Sequence, residues 1–280
     1  MNTQEFIIAS LAEDIGSGDH STLASIDAKV VGTAKLIVKE AGIIAGIRIA
    51  KEVFLHLDKE AVFTAFHTDG EYLEVGTIAF TVKAKAQAIL QAERLVLNTM
   101  QRMSGIATLT HSYVEKIKNY STTILDTRKT TPLFRAFEKE AVLLGGAKNH
   151  RMGLYDMIML KDNHIDYCGG IEKAIVAANN YLKEQQLQLP IEVETRSLDD
   201  VKRVVKVGGV QRIMLDNFTP QEIEAALVLI NKQFETEASG GINFDTIEAY
   251  AATGVDFISV GAVIHHATSL DLSLKAVLHE

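Results

Sequence analysis

Six short apolar runs recur in the second half of the chain: TTILDT (122–127), MIMLKD (157–162), PIEVET (190–195), RIMLDN (212–217), FETEAS (234–239) and DFISVG (256–261). All but the last are followed by stretches rich in helix formers, such as GIEKAIVAANNYLKEQ (170–185) and TPQEIEAALVLINKQ (219–233). This alternation predicts a parallel sheet with crossover helices, open or closed into a barrel. The first half has a different rhythm. An amphipathic helix is expected over residues 4–13, then a polar loop, DIGSGDHST (14–22). Strand-like VVGTAKLIVKEAGIIAG (30–46) gives way to helix-like IAKEVFLHL (49–57). AVFTAFHTDGEYLEVGTIAFTVKA (61–84) reads as strands around an Asp69-Gly70 turn. A long helical pattern from about Ala86 to Lys118 carries Ser104-Gly105 as a candidate break.

What terminates each apolar run matters more than the runs themselves. The ends carry Asp126, Arg128 and Lys129; Lys161, Asp162 and Asn163; Glu192 and Glu194; Asp216 and Asn217; Glu237, Ser239, Gly240 and Gly241; and Gly261. In α/β barrels the active site lies at the C-terminal ends of the strands, so six such ends would surround one cavity. Arg128, Lys129, His150, Arg151 and Lys161 fall within 34 residues. Arginine suits planar bidentate recognition of carboxylate or phosphate, and lysine is a point charge for phosphate oxygens. A solvated charged face is the alternative. Glu192 and Glu194, two apart on a strand, share one face. With Asp216 they can hold Mg²⁺ or sugar hydroxyls, or form internal salt bridges, the latter reading being strongest for Glu192. The glycines of 145–146, 239–242 and 259–262 suit close approach of backbone N–H groups to an oxyanion, though turns need glycine too. Lys161 as a Schiff-base lysine is a minor alternative. The histidines and Cys168 lack transition-metal spacing, and no P-loop or dinucleotide fingerprint occurs.

Composition narrows the classes. The 280 residues are 47% hydrophobic and 23% charged, ordinary for a folded protein. The formal charge of −8, from 28 Lys plus Arg against 36 Asp plus Glu, argues against binding nucleic acid or an anionic membrane. A local basic cluster is therefore the more informative. Cys168 is the only cysteine, which allows no intramolecular disulfide and suits a reducing cytosol. No signal-peptide pattern opens the sequence, and no apolar run nears the ~20 residues of a membrane span. A cytoplasmic location is expected.

Seven segments then carry a resemblance: ERLVLNTMQRMSGIAT (93–108), DTRKTTP (126–132), GGAKNHRMGLYDMIMLKDNHI (145–165), EVE (192–194), MLDN (214–217), EASGGI (237–242) and GVDFISVGA (254–262). In this order, with LAEDIGSGDHST (11–22), they closely resemble the quinolinate phosphoribosyltransferase family, also known as nicotinate-nucleotide pyrophosphorylase (carboxylating). The resemblance implies an α/β fold with an N-terminal α/β sandwich domain (1–106) and an open six-stranded, TIM-like α/β barrel domain (107–265). Residues 266–280 return to the first domain. It implies a type II phosphoribosyltransferase that joins quinolinate to phosphoribosyl pyrophosphate with Mg²⁺, releasing pyrophosphate and CO₂ and giving nicotinate mononucleotide, within de novo NAD biosynthesis.

Residue by residue, the same resemblance assigns the quinolinate carboxylates to Arg128, His150 and Arg151. Arg102 joins them from the partner subunit of a homodimer. Lys129 and Lys161 would face phosphate oxygens. Glu194 and Asp216 would meet the ribose hydroxyls and Mg²⁺, so that Lys129, Lys161, Glu194 and Asp216 form the catalytic set. Ser239, Gly240, Gly261 and His265 match the phosphate-binding end. Leu133-Phe134-Arg135 stands where many relatives have Gly-Leu-Arg, and His266 where a small hydroxyl residue is common. Competing readings are a nicotinate phosphoribosyltransferase, a repurposed homologue associated with molybdate transport, and a non-catalytic scaffold.

Overall fold

The computed structural model describes residues 2–277 and divides into two compact units. The first comprises residues up to His111, Thr131–Gly146 and the chain from His266 onward; the second comprises Ser112–Thr130 and Ala147–His265. In chain order the first unit begins with α1 (Thr3–Ile15), α2 (His20–Ser25), β1 (Val31–Val38), β2 (Gly42–Ile43) and α3 (Ile47–Leu57). It continues with β3 (Val62–Ala65), β4 (Tyr72–Leu73), β5 (Ile78–Lys85) and the helix α4 (Ala86–Lys116), which runs past the unit boundary. After β6 (Thr123–Leu125) the chain gives α5 (Arg135–Leu144), β7 (Ile158–Leu160), α6 (Asp162–Cys168), α7 (Ile171–Gln185), β8 (Ile191–Thr195) and α8 (Leu198–Val207). Then come β9 (Arg212–Asp216), α9 (Pro220–Ile230), β10 (Glu235–Ser239), α10 (Ile247–Ala251), β11 (Phe257–Ser259), α11 (Ala262–His265) and β12 (Leu272–Ala276).

The first unit is built on an antiparallel sheet of order β12-β1-β5-β3. Along β1 the buried positions alternate, Ala34, Leu36 and Val38, as one face covers a core. Beneath that face Phe54, Phe63 and Phe80 cluster, with Phe63 and Phe80 ring centroids 4.5 Å apart. Asp69 sits with Gly70 in the expected turn between β3 and β4, closed by the Glu71 N–H to the Thr68 carbonyl (3.3 Å). Its carboxylate accepts from the backbone N–H groups of Ile47 (2.8 Å) and Arg48 (3.3 Å), the first free donors of α3. Likewise Asp19 caps α2 within the stretch expected to be loop, accepting from Thr22 N (3.1 Å). Ser104-Gly105 is no break: α4 runs through it. Glycine is required there for closeness, since a Cβ on Gly105 would collide with the Thr268 carbonyl oxygen.

The division differs from one at residue 106 in two respects: residues 107–111 and residues 131–146 belong with the first unit. The reason is side-chain packing. Phe134 and Phe137 stack with Phe6 of α1 at 5.5 and 4.6 Å, and a Cβ on Gly145 would meet the Ala107 carbonyl at 2.5 Å. The returning segment enters the same unit as β12, pairing Leu36 with Leu274; residues 278–280 lie outside the described residues.

The second unit carries a six-stranded parallel sheet of order β6-β11-β10-β9-β8-β7. From β7 to β11 each strand lies beside its successor, and β6, first in sequence, pairs with β11 at the far end. Among the described residues no ladder joins β6 to β7; β6 instead has one parallel bridge, Leu125 to Lys148. This is the expected open, six-stranded arrangement. The crossover helices start where the sequence supplies caps, as at Thr219-Pro220 with Glu222 completing a capping box before α9. Their inner faces (Ile175 on α7, Val201 and Val204 on α8, Ile223 and Ala226 on α9) are buried. Sheet residues such as Val193, Ile213 and Ala238 are buried as well.

Candidate active site

The parallel register lines up charged positions across the second unit. Glu192 is paired with Arg212 and Glu237 with Met214, while one step further along Ser239 is paired with Asp216. Two tiers of polar groups result, one inside the sheet and one at its C-terminal rim.

The inner tier is His150, Glu192, Glu237 and Arg212. Both glutamates are wholly buried. His150 Nε2 lies 2.9 Å from Glu192 and 3.3 Å from Glu237, and Arg212 donates to Glu237 (2.9 Å) and Glu235 (3.2 and 3.0 Å). Burial disfavours charge on His150, but its hydrogen bonds to Glu192 and then Glu237 prevail and raise it to about 9. The Arg151 backbone N–H approaches His150 Nδ1 at 2.6 Å, a contact that opposes the added proton which the two carboxylates favour. Burial and then the Glu237 charge push Glu192 up to about 7. Burial opposes ionisation of Glu237 too, yet His150 and Arg212 hold its carboxyl below the ordinary range. The shifts of His150 and Glu192 run the same way, so the inner tier favours holding a proton on one or the other. His150 is placed by its own backbone: its N–H donates to buried Asp126 (2.8 Å), at the end of β6.

At the rim two cations crowd one another. Arg128 and Arg151 are close enough that, after burial, the charge of Arg128 is the largest influence lowering Arg151. The Nε of Arg128 is buried without a hydrogen-bond partner among the described residues. Lys129 is exposed, and its Cδ and the His265 ring both lie against Gly261, where a Cβ would meet them at 3.1 and 3.0 Å. Across the strand ends Lys161 Nζ stands 3.5 Å from Glu194. Burial raises both Glu194 and Asp216; Lys161 opposes this in each case, and Asp216 raises Glu194 further. Ser239 hydrogen-bonds Asp216. Gly240, at φ 94°, lies where a Cβ would strike the Asn217 side chain.

The structure thus gathers three rim groups: Arg128 with Arg151; Lys129 with Gly261 and His265; and Lys161 with Glu194, Asp216 and Ser239. His150 belongs with the inner tier through its ring. Arg102 lies in the first unit, on α4, bonded to Glu138 and to the Ala267 carbonyl. Arg212 escaped sequence reasoning, and Glu237 was read only as one of the strand-end groups, without a role of its own. The signal was there for Glu237, which stands two residues before Ser239 as Glu192 does before Glu194. Arg212 opens its strand, where no strand-end rule looks.

The model of the quinolinate phosphoribosyl transferase C-terminal domain matches residues 106–275, and that of the N-terminal domain matches residues 19–104. The chain belongs to the quinolinate phosphoribosyl transferase family. Within it, the chain is 43% identical over 281 residues to the chloroplastic nicotinate-nucleotide pyrophosphorylase [carboxylating] of Oryza sativa subsp. japonica, covering 95% of this chain and 75% of the relative. A probable nicotinate-nucleotide pyrophosphorylase [carboxylating] of Synechocystis is 42% identical over 270 residues, covering 95% and 90%. The crystal structure of NadC from Streptococcus pyogenes superposes with a TM-score of 0.92 at 39% identity, covering 97% and 95% of the two chains. Among the described residues no helix is long and apolar enough to cross a membrane.

Proposed function

We propose that this member of the family transfers the phosphoribosyl group of phosphoribosyl pyrophosphate to quinolinate with decarboxylation, yielding nicotinate mononucleotide, pyrophosphate and CO₂ for de novo NAD biosynthesis. The observation that carries the reading is Arg128. A guanidinium with a buried, unpartnered Nε beside a second arginine is costly in isolation and natural against a carboxylate. A dicarboxylate gives each of Arg128 and Arg151 a charge to bind.

Departure of pyrophosphate leaves positive charge at the anomeric carbon of the ribose. Glu194 and Asp216, adjacent at the rim, are placed to tolerate that charge and to take ribose hydroxyls. Lys129 and Lys161 would bind phosphate oxygens, with the tight backbone at Ser239-Gly240 and Gly261-His265 admitting a phosphate closely. Once the pyridine nitrogen is joined to the ribose, the ring is cationic, so its 2-carboxylate can leave as CO₂ and the electron pair left on C2 takes a proton from water, with no covalent enzyme intermediate. The donor set also fits Mg²⁺: Glu194 and Asp216 are hard oxygen ligands whose mutual repulsion a cation relieves. Bound there, Mg²⁺ would neutralise pyrophosphate charge. The segment 93–108 further supports a homodimer in which Arg102 serves the partner's site. A single cysteine supports a cytoplasmic setting.

The test is a product assay with quinolinate, phosphoribosyl pyrophosphate and Mg²⁺, followed by chromatography, with nicotinate as a parallel substrate. Nicotinate mononucleotide from quinolinate alone, lost when Mg²⁺ is chelated, is expected. Product from nicotinate, or none from either by folded protein, overturns the reading.

A further inference from the structure

Four donors converge on one wholly buried carboxylate in the first unit, that of Glu138 on α5. Arg102 gives Nε and Nη2 to its Oε1 at 3.0 and 2.8 Å, and Thr131 gives Oγ1 to the same oxygen and its backbone N–H to Oε2, both at 2.8 Å. Arg102 Nη1 donates to the Ala267 carbonyl at 2.8 Å. Three segments distant in sequence therefore fix one guanidinium by its Nε–Nη2 edge, while the arginine side chain stays one-quarter exposed (25%).

We propose that Glu138 is a positioning residue that holds the guanidinium of Arg102 in place for an anionic group of the substrate. This rests on the quinolinate reading given above. An arginine side chain loses much rotamer freedom when it grips a ligand. Fixing it beforehand against a buried carboxylate moves that loss from binding to folding. A purely structural role explains the pair less well, because well-packed apolar residues often replace a buried ion pair without loss of stability. Thr131 immediately follows the Arg128-Lys129-Thr130 stretch, so the same carboxylate also anchors the chain leaving that cationic loop.

The experiment is a double-mutant cycle on the full-length enzyme. Glu138→Gln keeps the shape and removes the charge; it should raise KM for quinolinate about tenfold while KM for phosphoribosyl pyrophosphate and kcat stay within about twofold. Arg102→Gln should raise the quinolinate KM at least as much, and adding Glu138→Gln to it should change that KM by less than about twofold. An unchanged quinolinate KM in Glu138→Gln, an equal rise in both KM values, or full multiplication of the two effects overturns the proposal. If Glu138→Gln does not fold, Glu138→Asp, which keeps the charge at shorter reach, must raise the quinolinate KM selectively. A wild-type enzyme that makes no product from quinolinate would instead refute the functional reading.

Discussion

Glu192 and Glu194 stand two residues apart on one face of one strand, yet they belong to opposite kinds of site. Glu192 is sealed in the inner tier, where His150 and Arg212 supply the protons and charge that two buried carboxylates need. Glu194 reaches the rim, where its neighbours are a half-exposed Lys161 and another raised carboxylate, Asp216. The inner tier sets its buried carboxylates against His150 and Arg212; the rim leaves the Nε of Arg128 without a hydrogen-bond partner among the described residues. Depth along a strand, rather than residue type, separates charge that holds the fold from charge that waits for a ligand. Removing a group from either tier tests this distinction, because the inner tier should answer in stability and the rim in activity.

The largest effect should come from Arg212→Met. It strips Glu237 of its guanidinium and leaves a buried carboxylate short of charge, which costs about 3–5 kcal/mol. Thermal unfolding should show the midpoint falling by roughly 10 °C, and a fall under about 2 °C would mean that the inner tier carries little stability. Next is Arg128→Ala at the rim. Losing a charged hydrogen bond to the substrate is worth about 2–3 kcal/mol, a drop of ~100-fold in kcat/KM for quinolinate. The melting temperature should hardly move, and a variant with normal quinolinate affinity would break the comparison from the other side.

The smallest effect is a pH dependence of stability. His150 is raised from 6.5 to about 9 and Glu192 from 4.5 to about 7, so on either assignment the folded chain keeps a proton that the unfolded chain has released. For His150 the stabilisation is complete below pH 6.5 and disappears as pH rises through about 9. Melting temperature followed from pH 7 to pH 10 should therefore decline, and the decline should flatten in His150→Gln.

Much of the fold was legible because short strand-like runs alternate with helical stretches and end in polar or small residues, although β8 and β10 interrupt theirs with buried glutamates. The rim set followed from the ends of those runs, which is why Arg128, Lys161, Glu194 and Asp216 stood out. The Asp69-Gly70 turn was legible, but a long-range duty of its carboxylate was not: Asp69 serves the N-terminus of α3, more than twenty residues earlier. Ser104-Gly105 misled, since the glycine answers to the Thr268 backbone, far along the chain. The place of α5 was equally hidden, because Phe134 and Phe137 choose Phe6 only once the chain is folded.

The sequence by itself determined the alternation of strand and helix, the family, and which residue types crown the sheet, because periodicity and strand ends are local properties of the chain. Only the tertiary structure decided that Glu192 is neutralised from within, that His150 turns its ring toward two carboxylates, and that Glu138 grips Arg102. Those outcomes depend on which charges meet at what depth. Long-range register and desolvation set that meeting, and neither is written in any short stretch of residues.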